Sequence, residues 1–322
     1  VNSEPADITR PLLHKLQYEF PLVWDPFGEM ARRLRTTPEK VLGRVSELLA
    51  DGTIRRLGPT FDLRTLGFAS TLVMGRVAPG DVDAAAEAVN RFEEVTHNYL
   101  RSHEWNLWFT VIARTEERVE EILADVRRNV PGGIFHSVPA TRIFKISARF
   151  SQGPGQAGEP YRVREPVVLP PDEVRLAGVL QQGLSVAERP FRIAAAEAGM
   201  SEGEVLAVLA RWLERGVLRW FGAVLRHTRV GFAVNAMCTF VVKDEALEEA
   251  GRICVETGAV THCYARRTPP GWPFNFYAMV HGTEKAQIEE VARRLGDIPG
   301  VGDWVILYSE RELKKTSKRY FP

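Results

Sequence analysis

The chain has 322 residues, 45% of them hydrophobic and 26% charged, and a formal net charge of +1. That composition belongs to a soluble globular protein of several domains and excludes a disordered chain or one built around a basic, phosphate-gripping surface. No apolar run approaches the ~18 residues of a membrane-spanning helix. The start, Val1 to Asp7, lacks a signal-peptide pattern, and the three cysteines, Cys238, Cys254 and Cys263, are sparse and odd in number. Both features predict reduced thiols and a cytoplasmic address.

Taken in order, Pro11 to Gln17 and Gly28 to Leu34 predict two helices. Thr37, Pro38 and Glu39 read as the cap and first turn of a third, carried on by Val41, Val45, Leu48 and Leu49 and ended at Gly52. Ile54 to Leu57 reads as a strand, and helix, helix, helix, strand predicts a winged helix-turn-helix over 1–57. Over 58–150, strands near 67–77, 96–102, 106–114 and 134–147 and helices near 82–93 and 116–129 give the ferredoxin-like βαββαβ order. Residues 151–171 are rich in Gly and Pro, Gly153 among them, and read as a linker. The pattern then restarts. Helices over 172–182, 191–198 and 204–215 (capped by Ser201, ended by Gly216) and a strand over 217–221 predict a second winged helix-turn-helix over 172–221. A second ferredoxin-like domain over 222–322 has strands near 231–242, 259–266, 274–282 and 302–308 and helices near 244–256 and 284–295. The predicted class is α+β, a tandem duplication.

The duplication also shows residue by residue. Gly58, Leu66, Gly67 and Phe68 return as Gly222, Val230, Gly231 and Phe232. Thr96, His97, Asn98, Tyr99, Leu100 and Arg101 return as Thr261, His262, Cys263, Tyr264, Ala265 and Arg266. Asn106 returns as Asn275 after a longer loop from Arg267 to Pro273. A near-constant offset of about 165 residues means two copies of one unit. The repeated His-x-Tyr-x-Arg cluster predicts two sites, or one pocket between two halves.

Strand alternation sorts these residues. His97, Tyr99, Arg101 and His103 share one face, with Thr96, Asn98 and Leu100 on the other. His262, Tyr264 and Arg266 share a face of their own strand. Next door, Leu107, Phe109 and Val111 oppose Asn106, Trp108 and Thr110; Phe274, Phe276 and Val280 oppose Asn275, Tyr277, Met279 and His281. The apolar sets suit the helix-covered face of a ferredoxin-like sheet. The His/Tyr/Arg sets are left on an open face, where a partner sheet or a ligand meets them.

A winged helix-turn-helix joined to a small ferredoxin-like domain resembles the Lrp/AsnC family, and does so twice over almost the whole chain. Longer motifs narrow the resemblance. Thr96 to Arg101 with Trp105 to Thr110 look like the first half of the siroheme decarboxylases; Val260 to Tyr264, Trp272 to Gly282 and Lys314 to Phe321 look like the second. In that family the halves are often separate subunits, so here they would be fused. The resemblance implies loss of the C12 and C18 acetate carboxyls of siroheme, giving 12,18-didecarboxysiroheme on a route to haem d1 or haem b. It implies no added cofactor, since the iron is carried by the siroheme substrate. The expected partners are siroheme and other iron tetrapyrroles, without DNA or membrane, bound by an intramolecular pseudo-dimer or a homo-oligomer of it.

Loss of CO2 from a pyrrole acetate leaves a carbanion-like carbon that the macrocycle delocalises and the protein must protonate. On that chemistry His97 and His262 are the expected proton donors. Arg101 and Arg266 are the expected carboxylate contacts, and Tyr99 and Tyr264 orient or donate. Asn106, Trp108, Trp272, Asn275 and Tyr277 are the expected substrate contacts, although packing is the more ordinary use of Trp108 and Tyr277. His136 and His281 have strand placement alone. No Cys/His set has zinc spacing, and alternation turns Cys263 away from His262. The basic tail from Arg311 to Arg319, with Lys314, Lys315 and Lys318, reads as a solvated end or a cover over an anion. The competing readings are a haem-responsive Lrp/AsnC-type regulator and a tetrapyrrole sensor. For DNA the recognition helices are poor: Lys40 and Arg44 stand against Glu39 and Glu47, and Arg211 and Arg215 against Glu202, Glu204 and Glu214.

Overall fold

The computed structural model describes residues 7–146, 160–226, 234–316 and 320–321. Val230, Gly231 and Phe232 of the repeat, residues 151–159 of the expected linker with Gly153, and Lys318 and Arg319 of the tail lie outside the described residues. The first copy runs α1 (Thr9–Tyr18), α2 (Pro26–Leu34), α3 (Pro38–Ala50), β1 (Ile54–Phe61), β2 (Ala69–Arg76), α4 (Val82–Asn90), β3 (Val95–Arg101), β4 (Leu107–Ala113), α5 (Glu116–Asn129), β5 (Ile134–Val138) and β6 (Ala140–Ile146). The second runs α6 (Pro171–Leu180), α7 (Pro190–Ala198), α8 (Glu202–Arg215), β7 (Leu218–Leu225), β8 (Val234–Val242), α9 (Leu247–Glu256), β9 (Val260–Arg266), β10 (Phe276–Gly282), α10 (Lys285–Gly296) and β11 (Val301–Lys315).

The caps stand where the local chemistry puts them. Thr37 accepts from the Lys40 N–H to open α3, and Ser201 with Glu204 forms a reciprocal capping box on α8. The copies do not fold one after the other. One compact unit takes Val1–Leu66, Arg164–Val230 and Arg319–Pro322, and the other takes Gly67–Val163 and Gly231–Lys318. Like associates with like.

Among the described residues, each copy gives the helix-turn-helix unit three α-helices and one strand. A lone strand leaves its backbone groups unpaired, and the remedy is the other copy: β1 pairs antiparallel with β7, with Gly58 opposite Gly222. A Cβ on Gly222 would stand 2.3 Å from the Leu16 carbonyl oxygen, so α1 approaches the ribbon as closely as only glycine allows. The wing is shared rather than owned.

The second unit is a nine-stranded sheet in the order β5-β2-β4-β3-β11-β8-β10-β9-β6. Here the structure departs from the expected strands. The single strand expected near 134–147 is two, broken at Pro139, which cannot continue the backbone ladder. Of the two, β5 pairs with β2 of its own copy and β6 with β9 of the other. The strand expected to end near 308 continues to Lys315, pairing with β8 up to Tyr308 and with β3 from Ser309. Arg311 to Lys315 are therefore a sheet strand and not a free basic end. Each copy's last segment crosses to the other copy's sheet. Both crossings are bolted by a buried or half-buried lysine at a helix C-terminus. Lys145 donates to the Cys254, Val255 and Thr257 carbonyls at the end of α9, and Lys314 to those of Asn90 and Phe92 at the end of α4.

Under the helices, Leu107, Phe109 and Val111 form one core and Phe276, Ala278 and Val280 another. The opposite face, expected to be open, is closed over its centre. Met74, Trp105, Trp108 and Val138 of the first copy pack with Met237, Trp272, Tyr277 and Leu307 of the second.

Candidate functional site

The repeated histidines occupy matching environments. His97 Nδ1 lies 2.9 Å from the Thr96 hydroxyl, and His262 Nδ1 lies 2.9 Å from the Thr261 hydroxyl. Each imidazole stacks on the tyrosine two residues on: His97 on Tyr99 at 6.3 Å and His262 on Tyr264 at 6.2 Å, both at 24°. Simple alternation puts Thr96 on the far face. It fails here because each strand carries a β-bulge at this point, between Val95 and His97 and again beside Thr261. A bulge re-aims one side chain without disturbing the rest of the ladder. In both copies the hydroxyl of the preceding threonine engages Nδ1.

The arginines close each cluster on the other side of the tyrosine. Arg266 stands 4.5 Å over the Tyr264 ring and donates to the Val138 carbonyl. Arg101 stands 5.4 Å over Tyr99 and donates through one terminal nitrogen to the Leu307 carbonyl and the Ser309 hydroxyl. Arg101 is 4% exposed. Its second terminal nitrogen reaches only the Met279 sulfur at 4.0 Å, and its Nε has no hydrogen-bond partner. Burial pulls its pKa down to about 10, so it stays charged at neutral pH. Among the described residues no carboxylate pairs with it. A buried cation without a counter-charge is costly unless a ligand supplies one. Ser309 also bonds Asn235, and these two residues line a cleft of about 320 Å³ with Ser102, Lys285 and Tyr308.

The two clusters differ in what faces them. From β11, Glu312 lies opposite Tyr99 and bonds its hydroxyl at 3.4 Å, and Lys315 lies opposite His97. From β6, the matching positions opposite Tyr264 and His262 are Ile143 and Ile146. These residues lie far in sequence from the strands they face, and only the crossing of the last strands brings them there.

Other expected site residues have different work. Asn106 clamps the backbone of Val77, its amide donating to the carbonyl and accepting from the N–H. Asn275 does the same to Val242. Each amide terminates a strand pairing with its oxygen and one N–H, and keeps a second N–H. Trp108 and Tyr277 are buried in the central core; Trp108 donates to the Trp105 carbonyl, and Tyr277 accepts from the Trp272 indole N–H. Burial raises the Tyr277 pKa to about 12, which removes it as an acid near neutral pH. His103 and His136 border this core, against Trp272 and Trp105. Burial lowers the pKa of both. Cys263 is buried among apolar groups, which holds its thiol protonated. Among the described residues no cluster of three or more His, Cys, Asp or Glu is placed to hold a metal ion, and no helix is long and apolar enough to cross a membrane.

Comparison with known proteins agrees with this architecture. The AsnC-like ligand binding domain matches residues 65–145 and 229–314. The siroheme decarboxylase NirDL-like helix-turn-helix domain matches 9–55 and 174–219. A siroheme decarboxylase of Hydrogenobacter thermophilus is 33% identical, over 96% of this chain and 94% of that one. A siroheme decarboxylase NirDL subunit of Paracoccus pantotrophus is 35% identical, over 95% of this chain and 94% of that one. The crystal structure of the siroheme decarboxylase NirDL with an iron-uroporphyrin III analogue superposes with a TM-score of 0.74 at 30% identity, covering 97% of this chain and 94% of that one. Two copies of both domains, in one chain and at this likeness, place the protein: it belongs to the siroheme decarboxylase family, on the AsnC-like fold.

Proposed function

We propose that this chain is a non-oxidative carboxy-lyase that removes the C12 and C18 acetate carboxyls of siroheme, giving 12,18-didecarboxysiroheme for haem d1 or haem b formation. The observation that carries the reading is Arg101, a buried guanidinium with donors to spare and no acidic partner among the described residues, two residues beyond Tyr99 of the His97–Tyr99 stack. A polycarboxylate macrocycle supplies the missing charge. The NirDL relative crystallised with an iron-uroporphyrin III analogue supports an iron tetrapyrrole as that ligand.

In this mechanism Arg101 and Arg266 hold acetate carboxylates by charge-assisted hydrogen bonds. Departing CO2 leaves its electron pair on the methylene carbon, delocalised into the macrocycle. His97 in one half and His262 in the other return a proton from Nε2 to that carbon, while Tyr99 and Tyr264 orient the acetate. The iron belongs to the substrate, and no added cofactor is required.

The regulator reading is less well supported. On α3, Arg44 is taken by Glu47 and the Thr9 hydroxyl; beside α8, Glu202 is held by Arg189 and Arg211 by Glu173. Cations committed to intramolecular pairs are not presented to phosphates. The pseudo-dimer within one chain and a cytoplasmic address, consistent with three free cysteines, complete the reading. The test is anaerobic incubation of the purified protein with siroheme and mass analysis of the tetrapyrrole. A product lighter by two CO2 is expected. Siroheme bound at unchanged mass would leave a sensor, and a nanomolar, salt-sensitive promoter complex would restore the regulator.

A further inference from the structure

The cleft beside Arg101 lies where β11 leaves β8 for β3, and its lining includes Asn235, Lys285, Tyr308, Ser309 and Glu310. A volume of about 320 Å³ suits a small acid or one arm of a larger ligand, not a whole macrocycle.

The hydrogen bonds in its wall run in one direction only. A guanidinium donates and never accepts, so the Ser309 hydroxyl oxygen accepts from Arg101 at 3.1 Å. The one hydroxyl proton of Ser309 then goes to Asn235 Oδ1 at 2.6 Å. That separation is ordinary for O–H···O and too short for an amide N–H···O, which sets the amide oxygen toward Ser309. The Asn235 nitrogen, with two N–H groups, is left over, and among the described residues it has no hydrogen-bond partner. The relay starts at a cation that is 4% exposed, and hydrogen bonds of one sense polarise each donor further along the chain. The Lys285 ammonium, on the first turn of α10, stands 4.9 Å over the Tyr308 ring, and among the described residues no carboxylate pairs with it. The second copy lacks the relay. Ala140 pairs with Arg266 as Ser309 pairs with Arg101, and alanine has no hydroxyl to pass on.

We propose that this cleft is a carboxylate subsite, held by the Asn235 amide and the Lys285 ammonium, with a donor relay that the other half does not have. On the functional reading above, on which this assignment of the occupant rests, the carboxylate is an arm of the tetrapyrrole that the reaction does not remove. A free small acid is the other source of the same chemistry. Two carboxylates oppose the anion: Glu310 lines the cleft, and Glu289 accepts from the Tyr308 hydroxyl at 3.2 Å. Both are exposed and therefore screened by water and salt, while the buried Arg101 charge is screened much less.

The full-length protein is titrated with zinc-uroporphyrin III, a polycarboxylate macrocycle, and separately with sodium acetate. Absorbance gives the macrocycle's affinity. The 15N and 1H shifts of the Asn235 side-chain amide, assigned with Asn235→Asp, report either ligand at the cleft without turnover. Asn235→Asp keeps an oxygen for Ser309 and replaces the N–H groups by a second oxygen. It should weaken binding about tenfold or more, the loss of hydrogen bonds to a charged group. Lys285→Gln should cost up to about fivefold, the value of an exposed charge, and Ser309→Ala about threefold, the value of a neutral hydrogen bond. Glu310→Gln should tighten binding by up to about fivefold. Macrocycle affinities that follow this order, with a shifted Asn235 amide, support an arm of the tetrapyrrole as the occupant. A saturable acetate shift with equal macrocycle affinity in every variant supports a free small acid in the same subsite. An Asn235 amide that neither ligand shifts overturns the proposal, as does an Asn235→Asp variant that binds both as wild type does. If wild-type protein leaves the mass of siroheme unchanged, the functional reading fails, and the acetate shift still decides whether the cleft takes a carboxylate.

Discussion

The two histidine strands, β3 and β9, are near copies whose surroundings differ. His97 and Tyr99 repeat in His262 and Tyr264 to within 0.1 Å in ring separation and with the same interplanar angle of 24°. Around them the chemistry diverges. The first cluster faces Glu312 and Lys315; the second faces Ile143 and Ile146 and is backed by His281. Backbone geometry was kept while the charged and polar neighbours were changed. A macrocycle with inequivalent acetates is the kind of substrate for which such divergence is useful: one scaffold grips twice, and each grip is tuned separately.

The largest expected effect comes from removing the histidines. His97→Ala and His262→Ala should each slow their own decarboxylation by ~10²–10⁴, and at least one should stop at the mono-decarboxylated product. Product mass against time checks this. Full double decarboxylation at wild-type rate in both variants would return the histidines to packing.

Next come the arginines. Arg101→Met should cut siroheme retention by about tenfold or more, the loss of one charge-assisted contact, seen by titrating bound tetrapyrrole. It should not lower the thermal stability of the ligand-free protein by more than a few degrees, because a buried unpaired charge is itself a cost. The sign follows from linkage. Arg101 is pulled down to about 10 when folded, below its unfolded value, so its burial is destabilising at every pH below that and is relieved only as pH rises beyond it. Arg266→Met, at the less buried member of the pair, should cost less retention. Equal losses would erase the proposed asymmetry.

The asparagines should separate stability from chemistry. Asn106→Ala and Asn275→Ala each strand the N–H and C=O of a buried valine, Val77 or Val242. Unfolding should become easier by about 2 kcal/mol or more, read by denaturant midpoint, with tetrapyrrole affinity unchanged. A large loss of affinity at full stability would restore them as substrate contacts.

The smallest effect sharpens the comparison of environments. Glu312→Ile gives the first cluster the residue the second has, and frees the Tyr99 hydroxyl from an exposed carboxylate. Since exposed interactions of this kind are worth ~1 kcal/mol or less, siroheme affinity should move by at most several-fold. Its salt dependence should flatten, because one charge near the site is gone.

The sequence by itself determined a good deal. Duplication, the helix caps at Thr37 and Ser201, the alternation that buries Phe109 and Phe276, and the paired His-x-Tyr-x-Arg strands are all local patterns, and local backbone chemistry is enough to set them. Tertiary structure decided the rest. Which strands become neighbours depends on pairings hundreds of residues apart, so no local pattern announces that β6 and β11 exchange copies or that β1 and β7 share one ribbon. The bulges that turn Thr96 and Thr261 toward their histidines break the two-residue period on which the face assignment rested. Asn106 and Asn275 were legible as a repeat, yet a repeated residue is compatible with a repeated backbone clamp as readily as with a repeated ligand contact. Only the tertiary structure shows the clamps on Val77 and Val242, and only burial shows that Arg101 carries a charge with which no carboxylate among the described residues pairs.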